Sequence, residues 1–217
     1  SDGMGGANAG EFASRIAVDY ITRRLPQSHR LGALGLSQNY HDFLTELFEE
    51  VDKAMGSMSF HYEECRDMGA TLSLCWFTPE WMYFAHAGDS RICYFPKLGG
   101  MKQLSEDHNH PGVLYRKGTI NERQYRTHPE KHILWNSLGG KSKPVEPQLG
   151  AVGFETGDMF LVNSDGLNDG IWNHRLETLL RDPPARFAEM GLADRLITDS
   201  LEESGRDNLT AIVVSID

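Results

Sequence analysis

Three runs rich in apolar and aromatic residues, 71–77, 81–87 and 91–95, follow one another with only short turns between them. That pattern reads as antiparallel strands and sets what the rest of the chain must pack against. No internal repeat, low-complexity block or linker interrupts the 217 residues, so the chain reads as a single domain, 1–217. A hydrophobic content of 40%, with 10 Phe, 7 Tyr and 4 Trp, is enough for a sizeable core and excludes intrinsic disorder. No apolar run approaches the ~20 residues needed to cross a bilayer, and no signal-peptide pattern is visible. The expected location is the cytoplasm. The net charge of −10 argues against nucleic acid as a ligand. It fits an acidic solvated surface, or carboxylates gathered around a cation. Cys65, Cys75 and Cys93 are odd in number and lack CxxC spacing, so they read as small apolar residues, not as zinc or disulfide partners.

Around the strand block, Phe12, Ile16 and Tyr20 with Ala13, Ala17 and Ile21 predict a helix over 9–24, closed by Pro26. Ser37 is read as the N-cap of a second helix carrying Tyr40, Phe43, Leu44, Leu47, Phe48, Val51 and Met55 on one face. Residues 105–147 are polar, His-rich and poorly periodic, with Asn121 and Glu122 able to start a short helix. Residues 159–163 read as a buried strand, 175–181 and 185–203 as helices, the second with Gly205 at C′, and 209–216 as a closing strand. Strands grouped between helix pairs, without βαβ alternation, point to a sheet-containing core with helices outside.

The chemically informative pattern is a recurrent Asp beside an apolar run, followed by a small or turn-forming residue. It occurs at Asp2-Gly3, Asp89-Ser90, Asp165-Gly166 and Asp207-Asn208. Singly, each reads as a turn residue. Together, carboxylates brought close would repel one another unless protonated or neutralised by a cation. A hard divalent ion such as Mg²⁺ or Mn²⁺ suits such an all-oxygen site.

In order along the chain stand Ser1-Asp2-Gly3-Met4-Gly5-Gly6 with Gly10 and Ser14, Met68-Gly69-Ala70-Thr71, Ala87-Gly88-Asp89-Ser90-Arg91 and Leu104-Ser105-Glu106-Asp107-His108. His128-Pro129, Leu138-Gly139, Gly157-Asp158, Ser164-Asp165-Gly166-Leu167 and Gly205-Arg206-Asp207-Asn208-Leu209-Thr210 complete the set. This ordered series resembles the metal-dependent Ser/Thr protein phosphatase family (PPM, type 2C), in its bacterial form. The resemblance implies an α+β fold in which two antiparallel sheets form a central sandwich with helices on both faces. It implies two Mg²⁺ or Mn²⁺ ions, with Asp2 bridging, the Gly3 carbonyl contributing an oxygen, and Asp165 and Asp207 completing one shell. Asp89 matches a ligand of a third, weaker site, with Asp169 a candidate helper. Through these groups, Asp2, Asp165 and Asp207 carry catalysis: activated water attacks phosphorus in line and no phospho-enzyme forms. Phosphorylated proteins are the implied substrates and a Ser/Thr kinase the opposing partner, with neither nucleic acid nor membrane involved. A catalytically weak module of the same fold that binds a phosphoprotein or a regulator is the alternative.

The resemblance also implies a strand and turn ahead of the first Asp-Gly, carrying an acidic ligand and a phosphate-binding Arg, so the chain is expected to be part of a longer polypeptide. Met4 stands where some relatives carry His and cannot transfer a proton, so no general acid is assigned. Residues 109–137 match the family's flap beside the active site. His108, His110, His128 and His132 fit no zinc spacing and read as surface or loop-packing residues, His108 ordering the segment after it. Gly5 and Gly6 suit a tight turn; Gly3, Gly5, Gly6 and Gly10 fail the dinucleotide spacing because Asn8 takes the last position. Ser90 and Ser164 lie outside G-x-S-x-G and read as hydrogen-bonding neighbours of the carboxylates. Arg91 reads as one half of a structural salt bridge, and Trp76, Trp81, Trp135 and Trp172 as packing residues.

Overall fold

Helix α1 (Ala9–Ala33) buries Ala9, Ala13, Ala17 and Ile21, the stripe that a 3.6-residue period sets. It continues through Pro26, where an earlier stop was expected. A proline removes one N–H from the ladder, and in a helix of 25 residues the turns on either side carry on. The computed structural model describes residues 1–5, 9–33, 39–139, 143–205 and 207–217. Ser37 and Gly6 lie outside the described residues. The N-cap of α2 (Tyr40–His61) is Asn39, whose side chain accepts from the His41 N–H at 3.1 Å. One face of α2 buries Phe43, Leu44, Leu47, Phe48, Val51 and Met55, as the spacing requires.

The described residues form two compact units. The first comprises Ser1–Gly88 and Asp107–Val152. Here the short pair β1 (Gly3–Met4) and β2 (Gly69–Ala70) runs antiparallel. Strands β3 (Leu72–Phe77) and β4 (Trp81–Ala87) form an antiparallel hairpin from Leu72↔Ala87 to Phe77↔Met82. Its core joins the buried faces of α1 and α2 to Met68, Leu72, Leu74 and Ala85. Tyr20 and Arg24 from α1 both bond Glu50 of α2, at 3.0 and 3.1 Å.

The second unit comprises Asp89–Glu106 and Gly153–Asp217. It holds β5 (Arg91–Phe95) and β6 (Lys102–Gln103). Within 105–147, read as polar and poorly periodic, the first unit contains α3 (His110–Arg116), which was not foreseen, and α4 (Glu122–Arg126), the short helix expected at Asn121 and Glu122, with a capping box between Asn121 and Gln124. Strand β7 (Gln148–Gly153) joins the hairpin beyond β4. In the second unit, β8 (Met159–Asn163) lies between β5 and β9 (Ala211–Ser215), giving the sheet order β6-β5-β8-β9 with every pairing antiparallel. Helices α5 (Asp165–Gly170), α6 (Asn173–Arg181) and α7 (Leu192–Glu203) complete it, packing Leu167, Leu176, Leu179 and Leu196 with Phe95 and Leu161.

The single helix expected over 185–203 is two pieces. Ala185–Phe187 is a 3-10 turn, and Gly191, with extended ψ of 150°, is the N-cap of α7. Arg195 stabilises the break, donating to the Met190 and Ala188 carbonyls at 2.9 and 3.0 Å. Gly205 follows the C-cap Ser204 with φ of +55°, the expected C′ position.

Candidate metal centre

Antiparallel register decides where the aspartates of the second unit go. Arg91 pairs with Asn163, and Asn163 pairs with Ala211. The start of β5, the end of β8 and the start of β9 therefore share one edge of the sheet. Asp89 stands two residues before Arg91, Asp165 two after Asn163, and Asp207 four before Ala211. Ser164 fastens this edge: its N–H donates to the Thr210 carbonyl at 3.2 Å, its hydroxyl to the Asn208 carbonyl at 3.3 Å, and the Thr210 N–H donates to its Oγ at 3.1 Å. Gly166 is pressed so close to Asn208 that a Cβ would lie 2.5 Å from the Asn208 carbonyl oxygen. The structure thus brings the segments of Asp165 and Asp207 together. Asp89 and Asp165 are 6% and 8% exposed, whereas Asp207 faces solvent and accepts from the Asn208 N–H at 2.7 Å. Asp169 follows Asp165 by four residues on α5, on the same helix face.

Asp2 belongs to the first unit and is held by its backbone. Its N–H donates to Thr71 Oγ1 at 3.0 Å, and the Thr71 N–H donates to its carbonyl at 2.8 Å. Gly3 lies against the main chain of Gly10, and a Cβ there would collide with the Gly10 carbonyl. Gly5 takes φ of +135°, the turn foreseen for it.

A buried histidine pair fixes the peptide of Gly88, the residue before Asp89. His86 Nε2 donates to the Gly88 carbonyl at 3.0 Å, and its Nδ1 accepts from Ser73 Oγ at 2.8 Å. His108 Nδ1 accepts from the Gly88 N–H and from Asn136 Nδ2, both at 3.1 Å. Burial lowers the His108 pKa to about 4, with Arg116 acting in the same direction and Asp107 opposing. The ring is therefore a neutral acceptor at physiological pH, and His108 does order the chain around it. Nothing in the sequence marked His86 for this role; its place inside an apolar strand hides it.

Asp158 of the Gly157-Asp158 motif proves structural. It is 1% exposed and accepts from Tyr94 Oη at 2.6 Å, the Lys97 N–H at 2.7 Å and the Glu155 N–H at 2.9 Å. Burial alone would raise its pKa, but these three donors outweigh it and hold the carboxyl below its ordinary range. Arg91 is 3% exposed on β5. Burial pushes the Cys75 thiol up to about 12, in keeping with an inert cysteine. Of the tryptophans, Trp76 packs on the core, against Phe43 and Tyr40. Trp81, Trp135 and Trp172 are 45%, 55% and 38% exposed and lie outside the core, with the Trp135 ring 6.1 Å from that of His108. They sit at a strand end, in a loop and at a helix cap, where the core does not reach.

Among the described residues, one group of His, Cys, Asp or Glu has three ligand atoms all within 4.8 Å of one another: His110, His128 and Glu130. The carboxylates of the sheet edge do not close that far. A Mg²⁺-class ion keeps several waters, so a few carboxylates at one edge suffice for it. In the first unit a cleft of about 450 Å³ is lined by Ala9, Glu11, Phe12, Arg15, Glu64 and Cys65, none of them a predicted ligand.

Comparison with known proteins shows the family. The protein phosphatase 2C family matches residues 1–209. The Ser/Thr phosphatase Stp of Listeria monocytogenes is 31% identical over 217 residues, covering 100% of this chain and 83% of that protein. The Ser/Thr phosphatase structure from S. agalactiae superposes with a TM-score of 0.78 at 29% identity, over 100% of this chain and 85% of that one. A structure of the catalytic domain of the phosphatase PstP in complex with two manganese ions gives 0.78 at 28% identity, over 99% and 85%. The antiparallel sheets and helices are those of PPM phosphatases. The chain therefore belongs to the protein phosphatase 2C family, the divalent-metal-dependent enzymes that remove phosphate from serine and threonine of proteins.

Proposed function

We propose that two Mg²⁺ or Mn²⁺ ions are held by Asp2, the Gly3 carbonyl, Asp165 and Asp207, with Asp89 and Asp169 serving a third, weaker ion. The donor set fits: every group is an oxygen, and strand register starts or ends the segments that carry Asp89, Asp165 and Asp207 at one sheet edge. That alignment of segments is the observation that carries the reading. The two manganese ions named for the PstP structure support it. Such ions, when bound, neutralise phosphoryl charge and make water acidic enough to attack near neutral pH.

The chain's own part is to hold its carboxylates in place. Ser164 ties the Asp165 segment to the Asp207 segment, so neither needs to be ordered when a cation arrives. The buried side of the edge keeps Asp165 and Asp89 from bulk water, which strengthens their attraction for cations. Thr71 fixes the backbone of Asp2. Met4, next to Gly3, has no proton to give, so no side chain is assigned as general acid for the departing serine or threonine oxygen. Segment 109–137 acts as a flap toward the substrate, and the whole chain works as one phosphatase domain. Phosphoproteins modified by a cognate Ser/Thr kinase in the cytoplasm are the substrates.

Hydrolysis of para-nitrophenyl phosphate by the full-length protein tests this. Turnover should require Mn²⁺, stop with EDTA and fall by at least about a thousand-fold in Asp207→Ala, equivalent to about 4 kcal/mol. Phosphopeptide binding without turnover would select the weak binding module.

A further inference from the structure

The histidine-rich segment 108–136 of the first unit holds a second constellation. His110 opens α3, while His128 and Glu130 lie in the turn after α4. Their nearness is built from below. Asn109, 0% exposed, accepts from the Gly112 N–H at 2.8 Å and donates from Nδ2 to the Lys131 carbonyl at 2.7 Å. Those two bonds set His110 beside Glu130, because each is the chain neighbour of a bonded residue. Asn109 also bridges Leu134, and the Lys131 N–H donates to the His128 carbonyl at 3.1 Å.

His110 Nδ1 lies 3.0 Å from Glu130 Oε2. The His128 ring stands nearly perpendicular to that of His110, at 85° with 6.1 Å between centroids. His128 Nδ1 accepts from the Glu130 N–H at 3.2 Å. Two imidazoles and a carboxylate within 4.8 Å form the nitrogen-rich donor set that zinc takes in three-ligand sites, leaving a fourth position for water. A tetrahedral ion at about 2.0–2.2 Å from each donor needs the ligand atoms about 3.3 Å apart. The His110–Glu130 separation is already close to this. His110 and Glu130 have side chains 62% and 50% exposed, so small rotations bring them in.

We propose that His110, His128 and Glu130 form a separate site for one zinc-class ion, which staples the start of α3 to the turn after α4. The oxygen-only sheet edge takes harder cations, so the two sites differ in the metals they prefer. In the bound form the ion replaces the contact between His110 and Glu130, and each imidazole is neutral with its proton on the ring nitrogen that does not ligate, so His128 gives up the bond it accepts from the Glu130 N–H.

Co²⁺ serves as a probe, because in tetrahedral nitrogen and oxygen surroundings it absorbs visible light and Mg²⁺ does not. With the full-length protein in saturating Mg²⁺, Co²⁺ should give one equivalent of a tetrahedral band, displaced by Zn²⁺. The band should vanish in His110→Ala and in His128→Ala, and Glu130→Gln should weaken binding at least about tenfold. It should persist in His132→Ala and in Asp207→Ala. A band equal to wild type in both His110→Ala and His128→Ala overturns the proposal, as does one lost in Asp207→Ala or no band at all. Zn²⁺ should also raise the melting temperature of the wild type and not of His128→Ala; equal shifts in the two count against the site.

Discussion

The aspartate edge of the four-stranded sheet and the histidine-bearing segment 108–136 gather polar side chains by opposite means. At the edge, strands do the gathering: Arg91↔Asn163↔Ala211 aligns three chain segments, and each carries an Asp just beyond the paired residues. In segment 108–136 no ladder runs, and side chains do the work: Asn109, Asn136 and His108 bond main-chain groups that are distant in sequence. A site at strand ends inherits its geometry from hydrogen-bond periodicity. A site between short helices depends on individual buried side chains, any one of which can undo it.

The largest expected effect separates catalysis from folding at the edge. Asp165→Ala should reduce Mn²⁺-dependent turnover by about a thousand-fold while β8 and β9 stay paired. Turnover within about tenfold of wild type would remove the edge from the chemistry. On the other side, Asn109→Ala removes two buried bonds and leaves the Lys131 carbonyl and the Gly112 N–H without them. It should destabilise the protein by about 3 kcal/mol in denaturant titration. A loss below about 1 kcal/mol would mean that the segment does not hang on this residue.

Acid should also act on the histidine side. In the unfolded chain His108 takes a proton near pH 6.5, and in the folded chain only near pH 4. Between these values the unfolded state binds more protons, so stability falls as pH falls, by about 2 kcal/mol at pH 5. The difference in stability between wild type and His108→Gln should shrink by that amount from pH 7 to pH 5; a constant difference speaks against a buried neutral ring. The smallest effect is expected from Ser164→Ala, about 1–2 kcal/mol of stability together with weaker Mn²⁺ binding. Unchanged Mn²⁺ affinity would show that the strands align Asp165 and Asp207 without this hydroxyl.

The same contrast explains what could be read from the sequence. Strands β4, β5 and β8 were foreseen with the boundaries they have, because runs such as Trp81–Ala87 are rich in apolar and aromatic residues and end in turn chemistry. Asp89, Asp165 and Asp207 stood out for that reason, each lying beside such a run, although Asp165 opens α5 where a turn was expected. Strand β7 was missed because Gly150 and Gly153 dilute its pattern; Gly150 lies against the Phe84 ring, where a side chain would clash. Helix α5 was missed because Asp-Gly-Leu-Asn-Asp-Gly has poor helical propensity and is held by burial of Leu167. The nearness of His110 and His128 was invisible, since 18 positions separate them and the tie runs through Asn109 and Lys131. Spacing informs only where regular structure converts it into distance.

Calorimetric titration of the full-length protein with Mn²⁺, beside Asp165→Asn and Asp207→Asn, addresses the metal-binding edge most directly. The wild type should bind at least two equivalents, and each variant, folded, should lose at least one while turnover collapses with it. Full stoichiometry and unimpaired turnover in both variants would contradict the assignment of these carboxylates to the metals.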